Sequence, residues 1–388
     1  MDELRATIEA LAPIPKGSAG EGERQAALWI ADRLRAHGCD VAVEEETVRP
    51  DPWRNLVALS AAALAAGLLA GRGARVVPAV AGAALTAAIA DDVQNGPRLA
   101  RRATVPRRST WNVTAEAGDR DADRTLVVLV HHDAARSGLV FDQAGQRAVW
   151  ERWPELIERT NTALPVWWPV LAAPALVAAG ALAGRRGLTR AGTFLAAGSL
   201  ASFLDIALRD AVPGANDNLS GVATVTGLAR RLADEPLDGL RVLLVSAGSE
   251  ETFQEGIRAW GRRHFGSLPR ERTWFLTVDM VGSPRLALCE GEGPVWMEDY
   301  DEGFKALVQS CADAEGIDLW RDQRARTSTD GVIPMRAGFP TALLISLEPW
   351  KSPSNYHWKT DTPDRIDYST VADAVRLVEA VARRLAAS

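Results

Sequence analysis

The sequence predicts an α/β fold built on a mostly parallel central sheet. Three apolar runs rich in β-branched residues have the length and composition of buried strands: TLVVLV before His131, RVLLVSAG before Glu250 and WFLTVDMVG around Asp279. A fourth run of this kind, TALLIS, lies near the end of the chain. Helical segments alternate with these runs, and strands that alternate with helices form parallel sheets.

The flanking segments fit the same alternation. Residues 1–48 predict one amphipathic helix and one strand, and Ser18 and Glu21 have the spacing of a cap at the start of that helix. Residues 111–117 alternate apolar and polar side chains like a further strand. Residues 373–385 carry apolar side chains on one helical face and predict a closing helix.

Two other stretches do not fit this alternation, because each contains two uncharged apolar runs joined by a short arginine-rich turn. The runs are residues 56–71 and 76–90, and residues 163–184 and 191–204. A membrane-spanning helix needs about 20 apolar residues, and we expect the third run, with 22 residues including three prolines, to be the one that clearly reaches this length. We interpret the pairs as two hairpins inserted in a membrane. The alternative is a soluble cap of four alanine-rich helices.

Composition and charge restrict the partners and the compartment. With 44 Lys and Arg against 50 Asp and Glu, the chain lacks the basic excess that nucleic-acid binding requires. Three cysteines without a CxxC pair indicate a reducing compartment, and no Sec-type signal is visible. The two turns carry five arginines and the opposite ends of the hairpins at least seven, which favours a cytoplasmic location for the rest of the chain.

Polar side chains follow three of the predicted strands at their carboxyl ends. His131 and Asp133 follow the first strand, and the alternation of side chains along a strand places them on the same side. The adjacent carboxylates Glu250 and Glu251 follow the second, so that one can bind a cation while the other transfers a proton. Asp279 ends the third. Taken singly, each also fits an ordinary structural role, such as a hydrogen-bonded histidine or a solvated acidic loop.

Two loops add further candidates. Asp217 lies in the glycine-flanked segment GANDNLSG at the start of a predicted helix, where turn and helix-cap chemistry is an alternative explanation. Tyr356 and His357 lie in the turn-rich segment NYHWKTDTPD. Because open α/β sheets bind ligands at the carboxyl ends of their strands, we expect all these residues to meet in one crevice.

The ordered motifs HxD, GAnDNxSG, a Glu-Glu pair, vDMvG and YHxxxDTpD resemble those of the M28 family of zinc aminopeptidases. The resemblance implies a three-layer α/β/α sandwich of the phosphorylase/hydrolase-like type and two Zn²⁺ ions. It implies that Asp217 bridges the two ions, that Glu250 is the general acid and base, and that Asp133 orients a ligand histidine. The implied metal ligands are His131, Asp217, Glu251, Asp279 and His357. Tyr356 is a candidate for polarising the scissile carbonyl.

The expected function is hydrolysis of the N-terminal peptide bond of a peptide substrate by zinc-bound hydroxide with a glutamate general base. The catalytic domain is expected at residues 1–50, 106–140 and 213–388, with hydrophobic hairpin insertions at 51–105 and 141–212. Alternatives are a carboxypeptidase of the same dizinc type, a single-zinc enzyme resembling glutaminyl cyclase, against which His131 argues, and an inactive membrane scaffold. Peptide preference and oligomeric state are not determined by the sequence.

Overall fold

The computed structural model describes residues 1–387, which contain one nine-stranded sheet. The strands are β1 (Asp40–Val48), β2 (Arg108–Gly118), β3 (Thr125–His131), β4 (Arg241–Ala247), β5 (Thr273–Val278), β6 (Arg285–Glu292), β7 (Glu298–Asp299), β8 (Trp320–Ala325) and β9 (Thr341–Leu347). The four apolar runs that predict buried strands form β3, β4, β5 and β9.

These four strands form the parallel centre of the sheet. The strand order is β1-β2-β4-β3-β5-β9-β6-β7, and β8 pairs with β6. Strands β4, β3, β5 and β9 are mutually parallel, and every residue of β3 and β9 is buried. Antiparallel pairings add β1 and β2 at one margin and β6 and β7 at the other. The mostly parallel sheet is therefore confirmed at the centre, and its margins are antiparallel except for the parallel pairing of β8 with β6.

Helices cover both faces of the sheet, as in a three-layer α/β/α sandwich. The α-helices among residues 1–387 are α1 (Asp2–Leu11), α2 (Glu21–Ala36), α3 (Pro52–Gly71), α4 (Val76–Val93), α5 (Leu99–Thr104), α6 (Ala144–Arg152), α7 (Pro154–Glu158), α8 (Trp168–Ala183), α9 (Arg186–Ala207), α10 (Ser220–Asp234), α11 (Glu255–His264), α12 (Glu302–Glu315), α13 (Val332–Arg336) and α14 (Tyr368–Ala386). Side chains alternate along β3, so Val128 packs in the core with α1, α2, α10, α12 and α14, whereas Val127 packs with α11 and α13 on the opposite face.

The N-terminal segment differs from its prediction. Residues 1–48 form two helices before β1, and α2 begins after Gly20 without a side-chain cap. The Ser18 hydroxyl donates instead to Oδ2 of Asp133 at 2.6 Å. Hydrogen bonds to a charged carboxylate are stronger than those between neutral groups. The Ser18 hydroxyl therefore pairs with Asp133, and the predicted cap of α2 does not form.

Helices α3, α4, α8 and α9 form a four-helix bundle, in which α3 packs on α9 and α4 packs on α8. The Arg75 guanidinium lies beside Gly184, so the two arginine-rich turns lie at the same end of the bundle. At the other end, Trp53 of α3 packs against Phe253, which follows β4, with ring centroids 5.9 Å apart. The bundle therefore contacts the sandwich at one end, and both arginine-rich turns lie at the opposite end.

Two helices of the bundle, α3 and α4, are long and apolar enough to cross a membrane by length and composition, and only 33% and 28% of their apolar windows are buried. The expectation that the third run is the one of spanning length is wrong, because α8 begins only at Trp168 and has 16 residues. Pro165 disfavours helix at the residue before it, and Pro169 occupies the first turn of α8, where a missing N–H is tolerated. The second insertion also contains the short polar helices α6 and α7.

A buried ion pair fastens the first hairpin to the sandwich. Nη2 of Arg101 lies 2.6 Å from Oδ1 of Asp92, at the end of α4, and both side chains are 1% exposed. The same guanidinium donates through Nη1 to the backbone carbonyl of Thr252, and Oδ2 of Asp92 accepts from Asn55 of α3. Arg101 therefore links the hairpin to the turn that carries Glu250.

Replacing Arg101 by alanine should destabilise the protein strongly, because it removes the nearer cation from the buried Asp92 carboxylate and leaves only Arg98, whose Nε lies 4.0 Å away. The expected loss is about 3–5 kcal/mol in the free energy of unfolding, measured by denaturant titration in one fixed detergent or buffer. The neighbouring Arg102 is exposed, and Arg102→Ala should change stability by no more than about 0.5 kcal/mol. Equal stabilities for the two variants would contradict this role.

Candidate active site

The predicted site residues meet at the carboxyl edge of the parallel strands. His131 ends β3, Glu250 and Glu251 follow β4, and Asp279 follows β5 directly. The other two members come from loops, Asp217 from the irregular turn that precedes α10 and His357 from the segment after β9. All six side chains are buried. The structure thus brings together the whole set that the sequence motifs indicated.

Two triplets of donor atoms lie side by side in this crevice. Nε2 of His131 lies 3.3 Å from Oδ1 of Asp217 and 3.5 Å from Oδ1 of Asp279. Nε2 of His357 lies 3.2 Å from Oδ2 of Asp217 and 3.2 Å from Oε2 of Glu251. The ligand atoms of each triplet lie within 4.8 Å of one another. Asp217 belongs to both triplets and turns one oxygen to each imidazole.

Glu250 stands next to the triplets. Its Oε2 atom lies 4.0 Å from Nε2 of His131, and its Oε1 atom accepts a hydrogen bond of 2.6 Å from the Gln254 side chain. Glu250, Glu251 and His131 form a third group of compatible donor atoms. The two adjacent glutamates therefore face the same crevice from neighbouring positions, with one of them held by an amide.

Electrostatics in the crevice is dominated by buried negative charge. Burial is the largest influence on Glu250 and Glu251, raising the pKa of Glu250 well above its ordinary value and that of Glu251 to about 7. Burial alone would lower the pKa of His357, but Glu251 and Asp217 raise it to about 10. Burial alone would raise the pKa of Asp217, but the two imidazoles beside its oxygens lower it.

The arrangement fits a divalent cation better than it fits protons. Three carboxylate oxygens of these residues have no hydrogen-bond partner among residues 1–387, namely Oδ2 of Asp217, Oε1 of Glu251 and Oδ1 of Asp279. Unpaired buried polar atoms are costly, and buried charges are normally paired or coordinate metals. Imidazole and carboxylate together are ligands typical of Zn²⁺.

Asp133 fixes three parts of the crevice at once. Its Oδ1 atom lies 3.5 Å from Nδ1 of His131 and accepts the backbone N–H of Glu250 at 3.0 Å. Its Oδ2 atom accepts the N–H of Glu251 and the Ser18 hydroxyl. The sequence indicated only the contact with the histidine. The structure shows that the same carboxylate also holds the turn that carries the two glutamates.

Tyr356 and Phe141 enclose His357. The Tyr356 ring stacks on the imidazole with centroids 3.8 Å apart, and Phe141 meets it edge-on at 4.6 Å. Burial, followed by the charges of Asp217 and Glu251, raises the pKa of Tyr356 well above its ordinary value, so the phenol keeps its proton. His132, which follows His131 in the first motif, points away from the crevice to Ser246. Burial lowers the pKa of His132 to about 4.

Sequence reasoning missed two acidic residues that hold the loops of the crevice by hydrogen bonds. Asp361 accepts the backbone N–H groups of Asn216 at 2.7 Å and Asp217 at 3.1 Å, and burial raises its pKa to about 7. Glu23 of α2 accepts from the backbone and hydroxyl of Ser249, just before the glutamate pair. Asp361 lies inside the DTPD segment of the fifth motif, but nothing in the sequence signals that Glu23 is buried.

Asp330 is another acidic residue that sequence reasoning missed. It lies in the loop between β8 and α13, is 1% exposed, and has no hydrogen-bond partner for either carboxylate oxygen among residues 1–387. Burial raises its pKa well above the ordinary value, and the charges of Asp133 and Asp279 act in the same direction. Its short segment, RTSTDGV, has the composition of an ordinary turn.

Comparison with known proteins points to one family. Residues 201–382, which are 182 of the 388 residues, match the model of peptidase family M28. The match includes every candidate residue from Asp217 to His357 but starts after His131 and Asp133, whose assignment rests on geometry. The family match and the shared fold support a zinc metallopeptidase.

Solved structures with the same fold cover nearly the whole of this chain. A leucine aminopeptidase precursor from Bacteroides thetaiotaomicron VPI-5482 is 14% identical with a TM-score of 0.58, covering 98% of this chain and 96% of that one. A zinc aminopeptidase from Bacillus subtilis is 13% identical with a TM-score of 0.54, covering 98% and 93%. A glutaminyl cyclase from Bacteroides thetaiotaomicron is 14% identical with a TM-score of 0.58, covering 98% and 97%. At these identities the likeness shows the fold. A search of curated proteins found no match.

Replacing Asp361 by asparagine should weaken zinc binding about 10- to 100-fold, the range for residues that orient metal ligands. The two oxygens of Asp361 accept two backbone N–H groups. Asparagine has one side-chain oxygen, so its NH₂ group faces one of these N–H donors without accepting from it. Competition with a chelator measures the affinity. Asp364→Asn, three residues later and exposed, is the matched control and should leave the affinity unchanged. Wild-type affinity in Asp361→Asn would show that the loop does not depend on this carboxylate.

Proposed function

We propose that this protein is an aminopeptidase with two zinc ions, one at each donor triplet. The observation that carries the proposal is the pair of buried triplets joined by Asp217. His131 and Asp279 would complete one ion site, and Glu251 and His357 the other. Three carboxylates with two neutral imidazoles leave two Zn²⁺ ions with a small net positive charge, which favours binding of an anion or of a carbonyl oxygen.

The roles of the surrounding residues follow from their positions. When bound, zinc supplies a Lewis acid that polarises the scissile carbonyl and acidifies water. Glu250 accepts the proton of the attacking water and returns it to the leaving amine, and Gln254 holds it in place for both transfers. Tyr356 keeps its proton and donates a hydrogen bond to the carbonyl oxygen. Asp133 keeps Nδ1 of His131 facing away from the metal.

The proposed catalytic domain comprises residues 1–50, 106–140 and 213–388, as the sequence analysis expected. The insertions at 51–105 and 141–212 supply the helical bundle and also reach the crevice. Gln143 of the second insertion donates to Ser352 and Pro353, which precede His357. These contacts support a role for the insertions in shaping access to the site, while the chemistry belongs to the sandwich.

Metal content tests the dizinc assignment. Wild-type protein should hold close to two zinc ions per chain by elemental analysis, and Asp217→Ala should lose most of the metal, because it removes the bridge. A single firmly bound ion, together with cyclisation of peptides that begin with glutamine, would replace the proposal with a glutaminyl-cyclase-like function. Absence of both metal and activity would indicate a scaffold.

Glu250→Gln tests the general base. It should keep zinc and fold but lower kcat/KM for release of the N-terminal amino acid by about 10²- to 10⁴-fold. Glu271→Gln, at an exposed position away from the crevice, is the control and should retain full activity. Near-normal activity of Glu250→Gln would refute its role. Release of residues from the carboxyl end of the same peptides would show a carboxypeptidase instead.

We also propose that the bundle lies in a membrane with the catalytic domain on the cytoplasmic side. Soluble bundles carry polar residues on their outer faces, whereas large apolar side chains are exposed here, among them Leu68, Val76, Val80, Leu182 and Phe194. At about 1.5 Å per residue, α3 is about 30 Å long, which matches a bilayer core. The arginine count at the helix ends supports the orientation.

Fractionation tests this placement. The protein should remain with membranes after alkaline carbonate extraction, and its catalytic domain should resist protease added outside intact cells. Permeabilised cells provide the control in which the same protease reaches the domain. Full recovery in the soluble fraction without detergent would show that the four helices form a soluble cap.

A further inference from the structure

An apolar groove leads from the candidate metal residues into the helical bundle. It is part of one cavity of about 520 Å³, which is lined at one end by Asp217, Glu250 and His357 and at the other by residues of α8 and α9. Cavities of about 300–1,000 Å³ accommodate drug-sized ligands. The space next to the reacting groups is therefore larger than one amino-acid side chain requires.

Aromatic residues from both insertions form the wall nearest the crevice. Trp167 packs against Phe203 of α9 with ring centroids 6.2 Å apart, and against Phe253 at 5.7 Å. Trp53 of α3 closes the cluster, 5.9 Å from Phe253. Phe253 lies two residues after Glu251, in the turn that carries the glutamate pair. The apolar wall is thus continuous with the reacting groups.

Along α9 the groove follows one face of the helix. Its lining residues there include Phe194, Leu195, Gly198, Ser202 and Ile206, which have the three- and four-residue spacing of a single face. From the first of these to the last, the helix rises about 18 Å. Phe194 is 78% exposed, so the groove opens sideways on the apolar outer surface of the bundle.

We propose that this groove binds a long apolar chain carried by the substrate on one side of the scissile amide. The inference rests on the proposed function and specifies its substrate class, namely amides and peptides with a lipid-like chain. The length of the groove, its apolar wall and its sideways opening onto an apolar surface all suit such a chain. Each methylene that it buries strengthens binding by up to about fourfold.

Two glycines of α9 provide a matched pair of variants. A Cβ atom added at Gly198 meets no atom within 4 Å, and Gly198 lines the groove. A Cβ atom added at Gly187 also meets no atom within 4 Å, but Gly187 lies near the arginine-rich turn and does not line the groove. Gly198→Trp should therefore obstruct the groove, and Gly187→Trp adds the same bulk elsewhere on the helix.

The first experiment compares hydrolysis of a short peptide, Leu-Ala, with two series that carry alkyl chains of four, eight and twelve carbons. One series, leucine alkylamides, places the chain on the leaving amine, and the other places it on the side chain of the N-terminal residue. In at least one series, kcat/KM should rise about tenfold or more from four to twelve carbons. Gly198→Trp should abolish that rise and leave Leu-Ala hydrolysis within about twofold, and Gly187→Trp should behave as wild type. No rise in either series, or a rise that Gly198→Trp leaves intact, would overturn the proposal.

The second experiment does not depend on turnover. A leucine dodecylamide with a photoreactive diazirine at the chain end is irradiated with the metal-loaded Glu250→Gln protein, in which turnover is slow, and adducts are mapped by mass spectrometry. Labelling should fall on residues 194–206 and be lost in Gly198→Trp but not in Gly187→Trp. Labelling elsewhere would overturn the proposal. If the protein hydrolyses no amide but labels at 194–206, the proposed function fails while the groove is retained.

Discussion

The structure depends on one constraint, the concentration of buried carboxylates at the carboxyl edge of the parallel strands. Asp217, Glu250, Glu251 and Asp279 face two imidazoles in a crevice from which water is largely excluded. Such a cluster is unfavourable unless cations or protons balance it. Asp133 belongs to the same arrangement, because it accepts the backbone N–H groups of Glu250 and Glu251 and so holds both glutamates at the crevice.

The helical bundle is integrated with this crevice. Arg101 connects the base of the first hairpin to the carbonyl of Thr252, and Asn95 beside it donates to Gln254, the residue that holds Glu250. The second insertion reaches His357 through Phe141. The two insertions therefore contact the residue that holds the proposed general base and one proposed metal ligand.

The fold and the specificity come from different parts of the chain. The sandwich is shared with aminopeptidases and glutaminyl cyclases at 14% identity or less among the neighbours compared, so the fold alone does not determine the reaction. Near the reacting groups, the two insertions supply an aromatic wall that includes Trp53, Trp167 and Phe203. Substrate choice is therefore expected to depend on residues outside the motifs that carry the chemistry.

The sequence by itself determined the central strands, the two apolar hairpins and the candidate site residues, because each depends on local periodicity or on motifs at strand ends. The structure places Asp217 and the two histidines together as that reasoning expects. Only the tertiary structure decided that Glu23 and Asp361 support the crevice, that Ser18 binds Asp133 and that α8 is too short to match the other helices. These features depend on contacts between residues far apart in the chain, such as the 226 positions between Glu23 and Ser249, which leave no periodic signal in the sequence.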